Sequence, residues 1–330
     1  MPPPAPAAAL PARLRQRPLE REDVPEALDL LPPWLLLPPA QRSALPELLS
    51  RLCEHPALVA GPIEDLARSP GQRLQGLGVT VILPQAFMAA SIAKTLQGGG
   101  GAADLVAGVY AALIDGSLDL PDERAIGRAN AADGIVFFAL HYHQRNMDLQ
   151  DPQALSVLNM ANEAFRVAHS GHRIAAFYQA APLAHEPYLL AAGQRRSDEL
   201  PAGAPPDGCA LFRITRGEAM AMLPGLTLRH VFEHTPPRFR LSASQRRLLW
   251  RSLFDERDDA LMRKLDVSVH GLKKLWRGIY ERIEDVEPEF FGGDVGIGAG
   301  VDDGKRGPEK RRLVLAYVRQ RPEELRPWAP

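Results

Sequence analysis

The spacing of apolar and polar residues changes period several times along the chain, and each change marks an element. In "REDVPEALDLL" acidic residues precede an apolar stripe at Val24, Leu28 and Leu31, and in "AQRSALPELLSRLCE" Leu45, Leu48, Leu49 and Leu52 recur at helical spacing. The period then shortens. "ALVAGPIEDLA" and "RLQGLGVTVIL" predict strands, the second leading from Leu74, Gly76 and Gly78 into Val79, Val81 and Leu83, and a flexible "QGGGGAAD" follows later. "LVAGVYAALIDG" is helical through Val106, Val109, Tyr110 and Leu113, with a second short helix at "DERAIGRANA". "GIVFFALHYH" is an unbroken apolar run suited to a strand covered on both faces. The helix "DPQALSVLNMANEAFRVAHSG" holds Leu155, Leu158, Ala161, Phe165 and Ala168 in register and stops at Gly171, after which "HRIAAFYQAAP" returns as a strand. A Pro/Gly-rich "LPAGAPPDG" precedes two strand-like pieces, "CALFRI" and "LRHVFEHT", and "PPRF" marks a boundary near residues 236 to 239.

Strand, long helix, strand is a βαβ unit, so the first part of the chain is expected to be an α/β (or α+β) domain built on a mixed sheet. A length of 330 residues exceeds one ordinary core. The expected organisation is a disordered, proline-rich lead-in over residues 1–19, the mixed-sheet domain over 20–237, and an all-α domain over 238–330 that ends in an extra basic helix after the linker "FFGGDVGIGAGVDDGKRG".

Composition narrows the function classes. Apolar residues at 45% and charged residues at 24% are ordinary for a globular protein, and a net charge of −1 means that any affinity for nucleic acid must come from local clustering. Two cysteines, Cys53 and Cys209, are too few for a disulfide framework or a four-thiolate metal site, which favours a reduced compartment. The start "MPPPAPAAALPARLRQRP" lacks the pattern of a secretory signal, and runs such as "WLLL" are too short to cross a bilayer. A cytoplasmic protein with no membrane partner is expected, and the excess of arginine over lysine fits a GC-rich bacterial genome.

The clearest charge cluster lies in "RKLDVSVHGLKKLWRGIYERI", residues 263 to 283. At 100° per residue, Leu275, Trp276, Ile279 and Ile283 fall near Leu272, while His270, Lys273, Lys274 and Arg277 fall on the opposite side. Upstream, Ser242 and Gln245 form a Ser-x-x-Gln helix start ahead of Leu248, Leu249 and Leu253. "RDDALMRKLD" presents Leu261 and Leu265, Val267 closes the turn, and Ser268 can cap the basic helix. Three helices with a short turn before the basic one is the helix-turn-helix plan. Residues 241 to 283 resemble the DNA-binding domain of LuxR-type transcriptional regulators, through Leu241-Ser242, Ala260-Leu261-Met262 to Leu265, Val267-Ser268 and Gly271-Leu272-Lys273. The chain departs from that pattern at Gly271, where threonine is usual, at Gln245, where an acidic residue is usual, and at Asp255, where glycine is usual. The resemblance implies that Lys273, Lys274 and Arg277 face DNA, with Ser268 and His270 near the phosphates.

The earlier part resembles, more diffusely, the acetyltransferase (GNAT) fold, through "GIVFFALHYH", the helix after it and "SGHRIAAFYQ". That family needs a loop of the form Arg/Gln-x-x-Gly-x-Gly/Ala after its central strand, so that backbone N–H groups can approach a pyrophosphate. "HQRNMDLQDPQAL" stands there without a glycine, and Gln75-Gly76-Leu77-Gly78 sits in a strand instead. His141, His143, His169 and His172 lack acidic partners in the sequence, so a metal site is not expected. Glu64, Asp65 and Glu163 look like scattered surface carboxylates. The expectation is therefore a transcriptional regulator without a cofactor or catalytic residues. Its partner is double-stranded DNA, and its sheet domain leaves room for a small-molecule effector or a homodimer contact. The alternatives are an acetyltransferase fused to a DNA-binding module and an interaction protein with a vestigial helix-turn-helix.

Overall fold

A computed structural model describes residues 13–203, 208–254, 256–292 and 303–329, the side chains of 303–306 excepted. The first twelve residues of the expected lead-in, Asp255 and positions 293–302 of the glycine-rich linker lie outside them. The chain divides into two compact units: residues 1–120, 136–168 and 177–214 make the first, and 121–135, 169–176 and 215–330 the second.

The sheet contains β1 (Leu14–Gln16), β2 (Leu58–Asp65), β3 (Leu74–Leu83), β4 (Ile135–Gln144), β5 (Ile174–Pro182), β6 (Arg195–Arg196) and β7 (Cys209–Thr215), in the order β1-β2-β3-β4-β5-β7-β6. Strands β1 to β4 pair antiparallel in succession, as do β6 and β7. The Ile135 N–H donates to the Arg173 carbonyl at 2.8 Å, which sets the beginnings of β4 and β5 side by side. They therefore run parallel, joined by a crossover helix as such pairs require. The sheet is mixed, as expected from the βαβ pattern, and apolar side chains such as Val79, Val81, Phe137, Phe138, Leu140 and Phe212 are buried along it.

Helices α1 (Val24–Leu28), α2 (Pro39–Leu52), α3 (Gln85–Gln97), α4 (Ala102–Asp115), α5 (Glu123–Ala131), α6 (Pro152–His169) and α7 (Glu186–Ala191) punctuate these strands, α6 being the crossover. The leucine stripe of α2 is buried, and so is the Val106, Val109, Tyr110, Leu113 stripe of α4. Every described element after β7 is helical: α8 (Arg216–Ala221), α9 (Thr227–Phe232), α10 (Ala243–Ser252), α11 (Asp258–Leu265), α12 (Val269–Val286), α13 (Asp303–Gln320) and a 3-10 turn at Pro322–Leu325. No helix among the described residues is long and apolar enough to cross a membrane.

Two expectations change, and one helix lacks any expectation in the sequence. The lead-in ends early, because Leu14–Gln16 is a strand whose Arg15 lies opposite Glu64 on β2. "LRHVFEHT" is not a strand but contains α9, since Leu228, Val231 and Phe232 are buried at helical spacing. Helix α3 was hidden because it buries only Met88 and Ile92 along an alanine-rich sequence.

The second unit takes in α5 and residues 169–176 through polar bonds that no periodicity encodes. Buried Asn130 donates through Nδ2 to the Pro327 carbonyl (2.9 Å) and accepts through Oδ1 from the Arg173 N–H (3.1 Å). Arg326 Nε donates to the Ser170 carbonyl at 2.9 Å. The Glu324 carboxylate, only 1% exposed, accepts from the N–H groups of Arg238 (2.8 Å) and Phe239 (3.0 Å). Each buried polar group is thereby satisfied where leaving it unpaired would cost about 1–3 kcal/mol.

Candidate nucleic-acid interface

The start of α12 is fixed by a turn and a cap. Asp266 ends α11 in the left-handed region (φ 51°), and the Val267 N–H returns to the Met262 carbonyl at 3.0 Å. Ser268 Oγ then accepts from the Gly271 N–H at 3.1 Å, satisfying one of the free donors of the new helix. Gly271 has a packing reason: a Cβ there would lie 3.2 Å from Val267 Cβ, so the bare backbone lets the first turn close over Val267. The start of α10 is built the same way, with Ser242 and Gln245 forming a reciprocal capping box.

One side of α12 is buried. Leu272, Trp276, Ile279 and Ile283 pack with Leu248 and Leu249 of α10, Leu261 of α11, and Val314 and Val318 of α13. Trp276 lies at the centre, with the Tyr280 ring stacked at 5.9 Å and the Arg311 guanidinium 4.7 Å over its face. Its indole N–H is buried without a partner. Trp276→Ala is therefore expected to cost about 3 kcal/mol, the low end for a large aromatic, because truncation also removes an unsatisfied donor. Trp276→Phe should cost less than half as much, and urea unfolding of the two variants checks the order.

The opposite side carries Ser268, His270, Lys273, Lys274 and Arg277, all exposed. The last four fall at i, i+3, i+4 and i+7, so they share one face. Among the described residues Lys273, Lys274 and Arg277 have no ion-pair partner. Neighbouring cations do: Lys264 with Glu256 (2.9 Å), Lys310 with Glu284 (2.6 Å) and Arg311 with Asp258 (2.6 Å). The basic character of α13 is thus partly neutralised on site, while the first half of α12 presents uncompensated charge.

The first unit's candidate positions behave differently. Asp151 Oδ1 accepts from the N–H groups of Gln153 (2.7 Å) and Ala154 (3.1 Å) at the start of α6. Asn146 and Asp148 take the N–H groups of Asp148 (2.9 Å) and Gln150 (3.0 Å). These N–H groups are held by the loop's own side chains, and a carboxylate occupies the start of α6. Gly76 serves packing: a Cβ there would lie 3.1 Å from Val157 of α6.

His141 and His143 belong to the first unit, His169 and His172 to the second. His141 is buried with Nδ1 3.1 Å from the Tyr110 hydroxyl, and burial together with His143 pushes its pKa down to about 3. No group of three potential metal-binding side chains exists among the described residues. Glu64 and Asp65 are corrected from surface groups to buried ones, each 2% exposed. Strand pairing brings Arg15 Nε to Glu64 at 2.5 Å, with Arg17 Nε at 3.2 Å, and Asp65 accepts from the N–H groups of Arg13 and Ala67. Glu163 is exposed and pairs with Arg166 one helical turn on.

No known protein-family pattern matches the chain, and no curated protein does. Solved structures overlay on it loosely. A chain of the NatC complex bound to Gag peptide and CoA is 9% identical, with 61% of this chain and 98% of that chain covered at a TM-score of 0.34. The spermidine N-acetyltransferase from Vibrio cholerae in complex with CoA and spermine is 12% identical, with 62% and 97% covered at a TM-score of 0.34. Overlaps this loose transfer no residue role and no activity.

Proposed function

We propose that the chain is a DNA-binding transcriptional regulator of LuxR-like helix-turn-helix type, carrying an acetyltransferase-like sheet unit that serves sensing or association. The observation that carries this reading is the uncompensated cationic face on the first half of α12, set against a fully buried opposite face. A helix of this form enters the major groove, where Lys273, Lys274 and Arg277 neutralise phosphates or reach base edges. Ser268 and His270, at the helix start, lie where the backbone N–H groups and the positive end of the helix dipole also favour a phosphate. Affinity comes mainly from counterion release and specificity from a few side chains, with no covalent step.

A second reading, an acetyltransferase fused to a DNA-binding module, is favoured by the mixed sheet with its parallel β4–α6–β5 crossover. The loop after β4 weighs against it, since Asp151 already holds the first N–H groups of α6. Two titrations of the full chain separate the readings. Duplex DNA is expected to bind with an affinity that falls steeply with salt, and acetyl-CoA is expected not to bind at micromolar concentration by calorimetry. Stoichiometric acetyl-CoA binding that protects residues 144 to 155 from hydrogen exchange would reverse the choice.

A further inference from the structure

Residues 326–329 leave the last 3-10 turn and lie against segments far earlier in the sequence. Arg326 is extended (φ −97°, ψ 142°), and its N–H closes that turn on the Glu323 carbonyl at 3.0 Å. Beyond it the polar groups bond outward. Arg326 Nε donates to the Ser170 carbonyl at 2.9 Å, 156 residues earlier. The Pro327 carbonyl accepts from Asn130 Nδ2 at 2.9 Å, 197 residues earlier, and the Ala329 N–H donates to the Gly127 carbonyl at 3.1 Å. Pro327 itself brings no N–H that would need a partner.

The receiving surface is shaped for this segment. Arg326 is only 9% exposed and lays its guanidinium over the Trp250 ring at 5.5 Å. Trp328 stacks on the His234 ring at 5.5 Å, and His234 Nδ1 donates to the Gly171 carbonyl at 3.1 Å. Fully buried Asn130 is aimed by a second bond, its Oδ1 accepting from the Arg173 N–H at 3.1 Å. Gly127 permits the close approach: a Cβ there would lie 3.2 Å from Ala329 Cβ and 3.3 Å from the Trp328 carbonyl carbon. Extended peptides are recognised in this way, main-chain bonds giving affinity and seats for alternate side chains giving specificity. Arginine and tryptophan are favoured anchors, and a neighbouring proline limits the entropy lost on binding. A segment that merely filled space would need neither the aimed Asn130 amide nor the missing side chain at position 127.

We propose that α5, residues 170–171, His234 and Trp250 form a binding site for an extended Arg-Pro-Trp peptide. Residues 326–329 occupy it in cis, and it accepts the same motif in trans once that segment is withdrawn. The site uses no residue of the exposed face of α12 and does not rest on the DNA-binding reading.

Deleting residues 326–330 from the chain and adding back a synthetic peptide of that sequence, RPWAP, tests this by calorimetry and thermal unfolding. The shortened chain should melt about 5–10 °C below the parent. The peptide should bind it one to one and restore most of that loss at a hundredfold excess over its dissociation constant. A peptide with alanine in place of arginine and tryptophan should bind at least tenfold more weakly. The parent should bind neither, because its site is filled. Gly127→Ala should lower the midpoint of the full chain, where the new Cβ presses on Ala329, yet leave the shortened chain unchanged or higher, since alanine favours the helix. If the shortened chain does not fold, Trp328→Ala in the full chain supplies a weakened occupant, and the free peptide should then compete for the site where it cannot in the parent. A shortened chain with the parent's midpoint would overturn the site. So would a peptide that binds no chain, binds parent and variants alike, or is matched by its alanine version, and so would a Gly127→Ala effect of equal sign and size in both backgrounds.

Discussion

Gly171→Ala should lower the stability of the second unit by about 3–5 kcal/mol, combining left-handed backbone strain with enforced overpacking. Gly171 has φ +85°, and a Cβ there would lie 2.4 Å from the Glu323 nitrogen and 2.5 Å from the Pro322 carbonyl carbon. Both are backbone atoms, so no side chain can swing aside. The Pro322–Leu325 turn would have to move. That movement would pull the Glu324 carboxylate from the Arg238 and Phe239 N–H groups and disturb the Arg326 bond to Ser170. Of the four tryptophans, Trp250, Trp276 and Trp328 all belong to the second unit, so fluorescence-monitored urea unfolding reports on it. Gly217→Ala is the matched control. Its Cβ would meet nothing within 4 Å and its φ is ordinary, so it should be neutral or stabilising by under about 1 kcal/mol. Equal unfolding midpoints for the two variants would show that the turn yields without cost.

The contrast between these glycines marks what the sequence could disclose. Gly171 was legible as a helix stop after α6, because a glycine following a periodic stretch is a local signal. Its second role, admitting the backbone at 322–323, depends on a segment about 150 residues away. The same division runs through the fold. The buried stripe of α12, the Ser268 cap and the Ser242–Gln245 box are encoded within a few residues, so spacing alone exposed them. Strand β4 announced itself by its apolar run. Strand β1 is defined by its pairing with β2, and only that pairing turns Glu64 from an apparent surface group into a buried partner of Arg15 and Arg17. The cationic face of α12 was visible as a pattern, but that its charges are uncompensated required knowing where Glu256, Glu284 and Asp258 lie.

Replacing Lys273 and Arg277 together with alanine should abolish most of the duplex affinity while leaving the fold intact. Both side chains are exposed and four residues apart, so they can reach the same stretch of DNA without belonging to the buried stripe. If both contact phosphates, the slope of log affinity against log salt should become shallower by about 1.8, or 0.9 for each lost contact. If one of them reads a guanine, the slope should fall by about half as much, and preference at one base pair should relax by about 1–3 kcal/mol. The neighbouring Lys310 provides the comparison, because its charge is already met by Glu284 at 2.6 Å. Lys310→Ala should change the salt slope little. The measurement is fluorescence anisotropy of the full chain on duplex DNA from low to physiological salt, with the urea midpoint of each variant recorded alongside. A double variant with the parent's midpoint, affinity and slope would leave the cationic face as a merely solvated one, and the regulator reading would fall with it. A lowered midpoint would instead place these residues in the packing of α12, against their exposure and their unpaired charge.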